Sequence, residues 1–479
     1  MRLDEYAAHD MIGLAGLIRS REVTSAELVD CCLGAIETVN PHINAVIGLV
    51  PEDLRAQMGG EGPFAGVPFL IKDIVLHMAG MPNEAGSALC AGLVAGEDSE
   101  LMARFRRAGL VVVGRSATPE FGYCSTTESR RSGPTRNPWN TDLMAGGSSG
   151  GSSAAVAAGV VPAAHANDGG GSIRIPASYT GLVGMKPTRG RTPAGPDYGE
   201  PLSGLGIEHA VTRTVRDSAA LLDAVQGADA GARNIIMPPA RPYLEETTTQ
   251  PGRLRIRWTD QPWSDIAVDT DVKAALAGAV SLLESLGHEV DHGRPEIDYP
   301  AFFKATKIFW TAGVASWIEG AAAATGRTIS DETLETSTLA CWDYGRGLSA
   351  LDLLWAEDFM NRVSRSVAPF FVSADILVTP TVGRIAQPIG FLDANRASGW
   401  TADEWTDAVF GHAPFTALFN MTGQPAISLP IGTDSRGYPV GIQFVAAWGR
   451  EDLLYRLAGQ LEQASPWIDR RPTVHVANI

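Results

Sequence analysis

Cysteine is scarce in this sequence, and the spacing of the few cysteines fits neither a disulfide framework nor a metal site. The 479 residues include five cysteines, an odd number with no C-x-x-C pair. This usage predicts free thiols in a reducing, cytoplasmic setting. The sequence also lacks an H-E-x-x-H motif and any cluster of histidine with cysteine, so no metal and no other cofactor is predicted.

Positive charge and long apolar runs are lacking as well. Thirty-eight Lys and Arg stand against 54 Asp and Glu, which gives a formal net charge of -16, the wrong sign for a protein that binds nucleic acid by its phosphates. No stretch of about 18 apolar residues occurs, so no membrane-spanning helix is predicted. Asp4 and Glu5 stand where a secretory signal needs basic residues, and no export is expected.

Candidate strands and helices alternate along the chain. The candidate strands are 64–75, 110–113, 376–379, 426–429 and 440–445. The candidate helices are 24–39, 99–108, 272–286 and 452–463. The first of these helices is predicted to end before Pro41. The pattern favours an α/β fold, with a large mixed β-sheet core covered by helices on both faces.

The composition changes within the chain. Residues 144–190 are dense in Gly, Ser and Ala with almost no charge, whereas 300–410 holds six of the eleven tryptophans. The first region is typical of an active-site core, and the second of its cover. We therefore interpret 1–479 as one domain with core motifs in 64–190 and 374–447 and a helical, aromatic-rich substrate cover over about 300–410.

Three features could carry chemistry: Lys72 within an apolar run, the loop 146–153 (GGSSGGSS) and the loop 168–174 (DGGGSIR). Each has an ordinary interpretation on its own. A lysine in a strand commonly extends its amine to water, and a glycine- and serine-rich run is commonly a linker. Together they suit serine chemistry, because a serine hydroxyl needs a base within hydrogen-bond reach and N–H donors for the oxyanion that follows attack.

The glycine run before Ser172 suits the oxyanion. Glycines let the backbone approach a substrate carbonyl closely, so that successive N–H groups converge on one oxygen. We predict an oxyanion hole made by the backbone N–H groups of Gly169, Gly170, Gly171 and Ser172. The alanine-rich segment after 152–153 is predicted to be a helix that is capped by hydroxyls and directs its positive end towards the first loop.

Both histidine and lysine side chains could be the base that activates the serine. His77 and His165 are candidates, but neither accompanies a G-x-S-x-G motif or another signature of a Ser-His-Asp triad. A lysine can do the same work when burial lowers the pKa of its amine towards neutrality. The apolar neighbours of Lys72 make it the favoured base, with the histidine triad as the weaker alternative.

The spacing of these motifs resembles that of the amidase signature family. The likeness rests on the Lys72 strand and on the two loops, whose serines Ser148 and Ser172 are twenty-four positions apart. It continues in the segments 135–139, 181–187 and 419–430. The resemblance implies a hydrolase of non-peptide carbon–nitrogen bonds with Ser172 as the acylated nucleophile. It further implies that Ser148 follows a cis Gly147–Ser148 bond and passes the proton of Ser172 to Lys72.

Three residues of the second loop, and Asn167 immediately before it, bear on the rigidity of the loop. Asn167 and Gly169 stand where the family frequently has Thr or Ser. The oxyanion loop is expected to survive this departure. Asp168 and Arg174 are interpreted as an ion pair that steadies the loop rather than as substrate contacts.

Within the family, the sequence from His165 to Ala177 resembles the branch that contains 6-aminohexanoate-cyclic-dimer hydrolases and relatives that cleave aryl amides or carbamates. Motif offsets indicate that Tyr123 and Trp310 are wall residues of the substrate pocket. Such bulky walls favour apolar or aryl amides, with carbamates, esters and aminohexanoate oligomers left open, and disfavour the nylon cyclic dimer. The alternative is that both aromatics only pack the core.

Two other functions stay open. One is the amidase subunit of a tRNA-dependent amidotransferase, although LSGLGIE from Leu202 stands where such subunits carry S-L-D-Q. The other is a non-enzymatic ligand binder that uses the glycine loops, although no G-x-x-x-x-G-K-[ST] motif is present. The expected partner is a small amide or carbamate, with neither nucleic acid nor membrane. The oligomeric state is left open, with a homodimer as one option.

Overall fold

The computed structural model describes residues 1–478, and within them fifteen strands are present. They are β1 (Val46–Leu49), β2 (Pro68–Lys72), β3 (Val111–Ser116), β4 (Glu128–Ser129), β5 (Gly133–Pro134), β6 (Arg136–Asn137), β7 (Asn140–Met144), β8 (Ala163–Asp168), β9 (Val183–Lys186), β10 (Ile207–Thr212), β11 (Arg255–Trp258), β12 (Glu289–His292), β13 (Ile376–Pro380), β14 (Ala426–Thr433) and β15 (Pro439–Ala446).

The described residues also form seventeen α-helices. They are α1 (Leu3–Ala8), α2 (Met11–Arg19), α3 (Ser25–Ile43), α4 (Glu52–Arg55), α5 (Glu100–Arg107), α6 (Gly150–Ala157), α7 (Arg174–Thr180), α8 (Val215–Val225), α9 (Tyr243–Glu246), α10 (Thr270–Ser285), α11 (Tyr299–Thr325), α12 (Thr336–Arg346), α13 (Ala350–Val367), α14 (Phe370–Ser373), α15 (Ala402–His412), α16 (Leu418–Met421) and α17 (Glu451–Ala464). None of these helices has the length and apolar character needed to cross a membrane.

Eleven of the strands form one mixed sheet in the order β1-β3-β2-β8-β10-β9-β14-β15-β13-β11-β12. β2 runs parallel to β3 and β8, and β11 runs parallel to β12 and β13. The other neighbours are antiparallel. The predicted α/β fold with a large mixed sheet is confirmed.

Both faces of the sheet are covered. Ile376 and Val378 in β13 pack into a hydrophobic cluster that also holds Leu276 of α10. Leu377, which lies between them, packs into a different cluster that holds Phe309 of α11. Because side chains alternate between the two faces of a strand, each face has its own helical cover, as predicted.

Two local predictions are wrong. Helix α3 continues through Pro41, because the proline lies in the last turn and removes a single hydrogen bond near the end. Asn44 then closes the helix in the left-handed conformation, with φ 49° and ψ 50°. Helix α6 begins before Ser152 and has no side-chain cap, so Ser152 lies inside the helix rather than at its cap.

The parallel pairing of β2 with β8 sets the place of the site. Lys72 is the last residue of β2 and Asp168 the last of β8, and the carboxyl ends of parallel neighbours meet at one edge of the sheet. Ser149 directly precedes α6, and Ser172 lies two positions before α7. The three motifs of the sequence therefore meet at this edge.

Candidate active site

The amine of Lys72 is fully buried, with 0% of the residue exposed. Its Nζ atom lies 2.7 Å from Ser148 Oγ, 2.9 Å from Ser149 Oγ and 2.6 Å from Asn167 Oδ1. Burial lowers the pKa of Lys72 to about 7, against the charge of Glu208, which raises it. Such an amine is largely neutral just above neutral pH and can accept a proton there.

The neighbours of Lys72 decide which way its lone pair points. Asn167 Oδ1 can only accept, and Ser149 donates its hydroxyl hydrogen to the Asn167 carbonyl at 3.2 Å. Both oxygens therefore receive N–H groups from Lys72. A neutral amine has two such groups and one lone pair. The lone pair is left for the Ser148 hydroxyl.

The two histidines considered as bases are engaged elsewhere. His165 Nδ1 accepts the backbone N–H of Lys72 at 3.2 Å, and its Nε2 lies 2.7 Å from Glu208 Oε2. Because Nδ1 accepts, the ring proton of neutral His165 is on Nε2. His77 pairs with Asp197 at 3.2 Å. Both ring nitrogens of His165 are therefore occupied away from the serine hydroxyls.

Ser148 and Ser172 line the same small cavity. The Gly147–Ser148 peptide bond is cis, as predicted. The N–H of Ser149 donates to the Ser172 carbonyl at 3.3 Å, which ties the two loops together. Within residues 1–478 no hydrogen bond joins the Ser148 and Ser172 hydroxyls. The structure thus brings the lysine and the first serine into contact and sets the second serine beside them.

Asp168 and Arg174 form a two-pronged ion pair, and both are 0% exposed. Arg174 Nε lies 2.8 Å from Asp168 Oδ2, and Arg174 Nη2 lies 2.8 Å from Asp168 Oδ1. Burial alone would raise the pKa of Asp168, but the guanidinium outweighs it and holds that pKa well below its usual range. The pair braces the loop that carries Ser172, in agreement with the sequence interpretation.

One of the four predicted oxyanion donors is already used. The N–H of Gly171 donates to Asp168 Oδ1 at 2.7 Å, so it is not free to meet a substrate oxygen, and the prediction for Gly171 is corrected. In the described part of the chain, no acceptor is bonded to the N–H groups of Gly169, Gly170 or Ser172. Gly171 instead provides the turn, because its φ of 137° favours glycine.

The cavity beside Ser172 is small and mostly apolar. Its volume is about 30 Å³, enough for roughly two water molecules. Its larger apolar wall residues are Ile74, Val75, Phe121, Leu202, Trp310 and Trp317. Among the polar residues that line it are Asn167 and Glu208. The space next to Ser172 is therefore bordered mainly by apolar side chains.

Trp310 and Tyr123 have different places. Trp310 lines the cavity and Tyr123 does not; the two rings stack, with ring centroids 4.6 Å apart and planes 22° from parallel. The Tyr123 hydroxyl bonds Thr406 Oγ1 of α15 at 2.7 Å. The interpretation of Tyr123 as a wall residue is therefore corrected, because Trp310 covers its ring and α15 holds its hydroxyl.

Sequence reasoning missed several residues of the site. Leu202 and Glu208 reach the cavity from a segment far from the motifs, and no local pattern marks them. Trp317 belongs to the predicted aromatic-rich cover, but nothing in the sequence distinguishes it from the other tryptophans there. Ser149 lay within the glycine- and serine-rich loop, and Asn167 was noticed only as a departure from the family. Their contacts with Lys72 are evident only in three dimensions.

Comparison with known proteins decides the family. Residues 27–455 match the family model described as Amidase. The chain belongs to the amidase family. It is 38% identical over 473 residues to the 6-aminohexanoate-cyclic-dimer hydrolase of Paenarthrobacter ureafaciens, covering 97% of this chain and 96% of that protein. The predicted class, a hydrolase of non-peptide carbon–nitrogen bonds, is confirmed.

Solved structures agree with this assignment. The structure of 6-aminohexanoate cyclic dimer hydrolase complexed with substrate matches this amidase with a TM-score of 0.93 at 37% identity, over 98% of this chain and 99% of that one. A bacterial aryl acylamidase matches with a TM-score of 0.85 at 25% identity, over 98% of both chains.

Proposed function

We propose that this amidase cleaves small apolar or aryl amides by acylation of Ser172, with Lys72 as the base acting through Ser148. The observation that carries the proposal is the buried amine of Lys72, which lies 2.7 Å from Ser148 Oγ and has a pKa of about 7. A neutral amine in this position accepts the Ser148 proton. The Ser148 oxygen can then take the proton of Ser172.

The acylation step couples the formation and cleavage of bonds at the substrate carbonyl carbon to proton transfers along the relay. Ser172 Oγ bonds to the substrate carbonyl carbon while its proton passes to Ser148 Oγ and the Ser148 proton passes to Lys72 Nζ. The resulting ammonium returns one proton through Ser148 to the leaving nitrogen as the carbon–nitrogen bond breaks. A water molecule then attacks the acyl carbon as one of its protons passes through Ser148 to Lys72, and the bond from the acyl carbon to Ser172 Oγ breaks as that oxygen takes a proton back through Ser148. The hydrogen bond between the Ser148 and Ser172 hydroxyls forms when the substrate binds and positions Ser172, since catalytic hydrogen bonds commonly tighten on binding.

The oxyanion is assigned to the N–H groups of Gly169, Gly170 and Ser172. These three have no other acceptor within residues 1–478, and the Asp168–Arg174 pair holds their loop rigid. Donors that are held in place need no reorganisation when charge develops on the oxygen. This supports a hydrolytic site over the alternative of a non-enzymatic ligand binder.

The residues that line the cavity favour a substrate with an apolar acyl group. Phe121, Leu202, Trp310 and Trp317 surround the space next to Ser172, and such surfaces favour aryl and alkyl groups. Carbamates and esters have the same reacting carbonyl and belong to the same proposal. The likeness to a cyclic-dimer hydrolase and an aryl acylamidase makes aminohexanoate oligomers the second substrate class.

A substrate screen tests this part of the proposal. Initial rates on anilides, urethanes, small aliphatic amides and aminohexanoate oligomers are expected to be highest for the anilides. Glutaminase activity that needs a co-purifying partner would instead support the amidotransferase alternative. A preference for small aliphatic amides would contradict the role assigned to the aromatic wall.

The rate of hydrolysis should fall at low pH, because a lysine base is active only when its amine is neutral. Below pH 7 the Lys72 amine becomes charged and loses its lone pair, so kcat/KM is expected to fall about tenfold per pH unit once the pH is well below the pKa. At pH 5 the loss should reach about a hundredfold relative to pH 8. The profile is measured on one anilide, with return to pH 8 as the control for denaturation.

A matched variant identifies the titrating group. Asn167→Asp replaces the amide oxygen 2.6 Å from Lys72 Nζ by a carboxylate, and a nearby negative charge favours the ammonium. The acid limb of the profile should move to higher pH by about one unit or more. A limb that stays in place would show that another group is titrating.

The helices from α11 to α15 support the proposal that about 300–410 forms the substrate cover, because α11 supplies Trp310 and Trp317 to the cavity. The remaining tryptophans of that segment do not line it.

A cytoplasmic location is proposed from the five cysteines, all of which are buried free thiols.

A further inference from the structure

Glu208 is a buried carboxylate without a cationic partner. It is 3% exposed, and within residues 1–478 it forms no ion pair with a lysine or an arginine. Its Oε2 atom accepts a hydrogen bond from His165 Nε2 at 2.7 Å. His165 is neutral, because its Nδ1 atom accepts the backbone N–H of Lys72 and so carries no proton. A buried charge without a counter-charge is costly, so the carboxylate of Glu208 needs an explanation.

The other carboxylates near Lys72 already have cationic partners. The pairs are Asp168 with Arg174, and Asp73 and Glu84 with Arg115. Burial lowers the pKa of Lys72, and among the charges that raise it Glu208 outweighs Asp168. The charge of Glu208 is therefore the one that is free to act on the amine.

The groups around Glu208 on its other side do not neutralise it. A second cavity reaches Glu208 and is lined by Arg189 and Arg233, among others. Arg189 donates its N–H groups to three backbone carbonyls, and Arg233 pairs with Glu200 at 3.7 Å. Burial raises the pKa of Tyr198 to about 12, which keeps its hydroxyl neutral. The counter-charge of Glu208 has to come from elsewhere.

The sheet places Glu208 beside residues that contact Lys72. In the antiparallel pair of β10 with β8, Glu208 stands opposite Asn167, so their side chains share one face with Cβ atoms about 5 Å apart. Asn167 Oδ1 lies 2.6 Å from Lys72 Nζ. His165, two residues earlier in β8, bonds both Glu208 and the Lys72 backbone. Because charges in a buried site interact over several ångströms, Glu208 acts on the amine across these two residues.

We propose that Glu208 is a positioning residue whose carboxylate balances the positive charge that Lys72 gains when it accepts the proton of Ser148. This inference rests on the proposed function. No bond is made or broken at Glu208. The proton moves from Ser148 Oγ to Lys72 Nζ, and the ammonium that forms faces a carboxylate already in place. When the ammonium returns a proton through Ser148, the amine is neutral again.

Glu208→Gln tests the inference, because glutamine keeps an oxygen acceptor for His165 and removes the charge. Without the charge the ammonium is less favoured, so the acid limb of the kcat/KM profile should move to lower pH by about one unit. The plateau above about pH 8 should fall about three- to tenfold, since the charge that develops on Lys72 loses its counter-charge. Both quantities are measured with the anilide used for the wild type.

Two further variants serve as controls. Glu208→Asp keeps the charge, so its limb should move by less than half as much as that of Glu208→Gln. Glu451 is another fully buried carboxylate, but it pairs with Arg191. The folded Glu451→Gln variant should keep the limb of the wild type.

A double variant keeps the test available if Glu208→Gln does not fold. Asn167→Asp combined with Glu208→Gln moves the carboxylate to the opposite residue of the strand pair. Its limb should lie about one pH unit below that of Asn167→Asp alone.

Several results would overturn the inference. They are a limb that stays in place in Glu208→Gln, which would leave only a structural role, and a limb that moves equally in Glu208→Asp. A loss of rate confined to anilides with an amino group on the acyl chain would show instead that Glu208 contacts the substrate. A wild-type profile without any acid limb would contradict Lys72 as the base, and with it the proposed function itself.

Discussion

Replacing Ser172 by alanine is expected to lower amide hydrolysis by a factor of about 10⁴ or more. Without its hydroxyl the acyl-enzyme cannot form, and the three free N–H groups of the loop are left with no reaction to assist. The expected readout is kcat/KM on an anilide, together with mass spectrometry after treatment with phenylmethanesulfonyl fluoride. The wild type should carry one adduct on Ser172, and the variant should carry none there.

A remote serine provides the control. Ser435 lies on the turn between β14 and β15, where it is exposed and its hydroxyl donates a hydrogen bond to Asp271 of α10. The variant Ser435→Ala should therefore keep wild-type activity and the adduct on Ser172. Full activity in Ser172→Ala, or an adduct on another residue of the wild type, would refute the assignment of the nucleophile.

Replacing Lys72 by methionine should lower the rate about 10³-fold on an anilide, within the range expected for loss of a general base. Methionine fills similar space but has no lone pair for the Ser148 proton. An anilide is the right probe, because its nitrogen leaves only when it is protonated. Chemical quench at saturating substrate separates the acylation step from binding.

Lys186 is the matched control for Lys72. It is equally buried, and burial lowers the pKa of its amine well below the ordinary value. Its Nζ donates to the carbonyls of Pro187 and Gln424, at 3.0 and 2.6 Å, rather than to a serine. Lys186→Met should lower the melting temperature while the folded protein keeps most of its rate. An equal rate loss in both variants would contradict a specific role for Lys72.

The sequence motifs predicted the family and indicated the candidate reacting groups, whereas the residues that line the pocket could not be predicted, for a physical reason. Lys72, Ser148 and Ser172 lie in short segments whose composition is unusual, because a buried amine and a close backbone approach each demand particular residues. Leu202 and Glu208 have ordinary local surroundings and reach the cavity only because the strands and loops close around it. No window of sequence contains that closure.

The errors have the same origin. Tyr123 was assigned to the wall from its offset in sequence, but the stacking of Trp310 on its ring is decided by how α11 packs. The donor of Gly171 was assigned to the oxyanion, but the fold gives it to Asp168. Helix α3 was predicted to end before Pro41, but it runs two residues past this proline, which lies in its last turn.

Part of the pocket wall comes from stretches of the chain that carry none of the proposed reacting groups. The proposed relay lies between residues 72 and 172, near the ends of β2 and β8, whereas Leu202 and two tryptophans of α11 supply other parts of the wall. A mutant library confined to 202, 310 and 317 would therefore change the pocket wall while Lys72, Ser148 and Ser172 themselves stay in place.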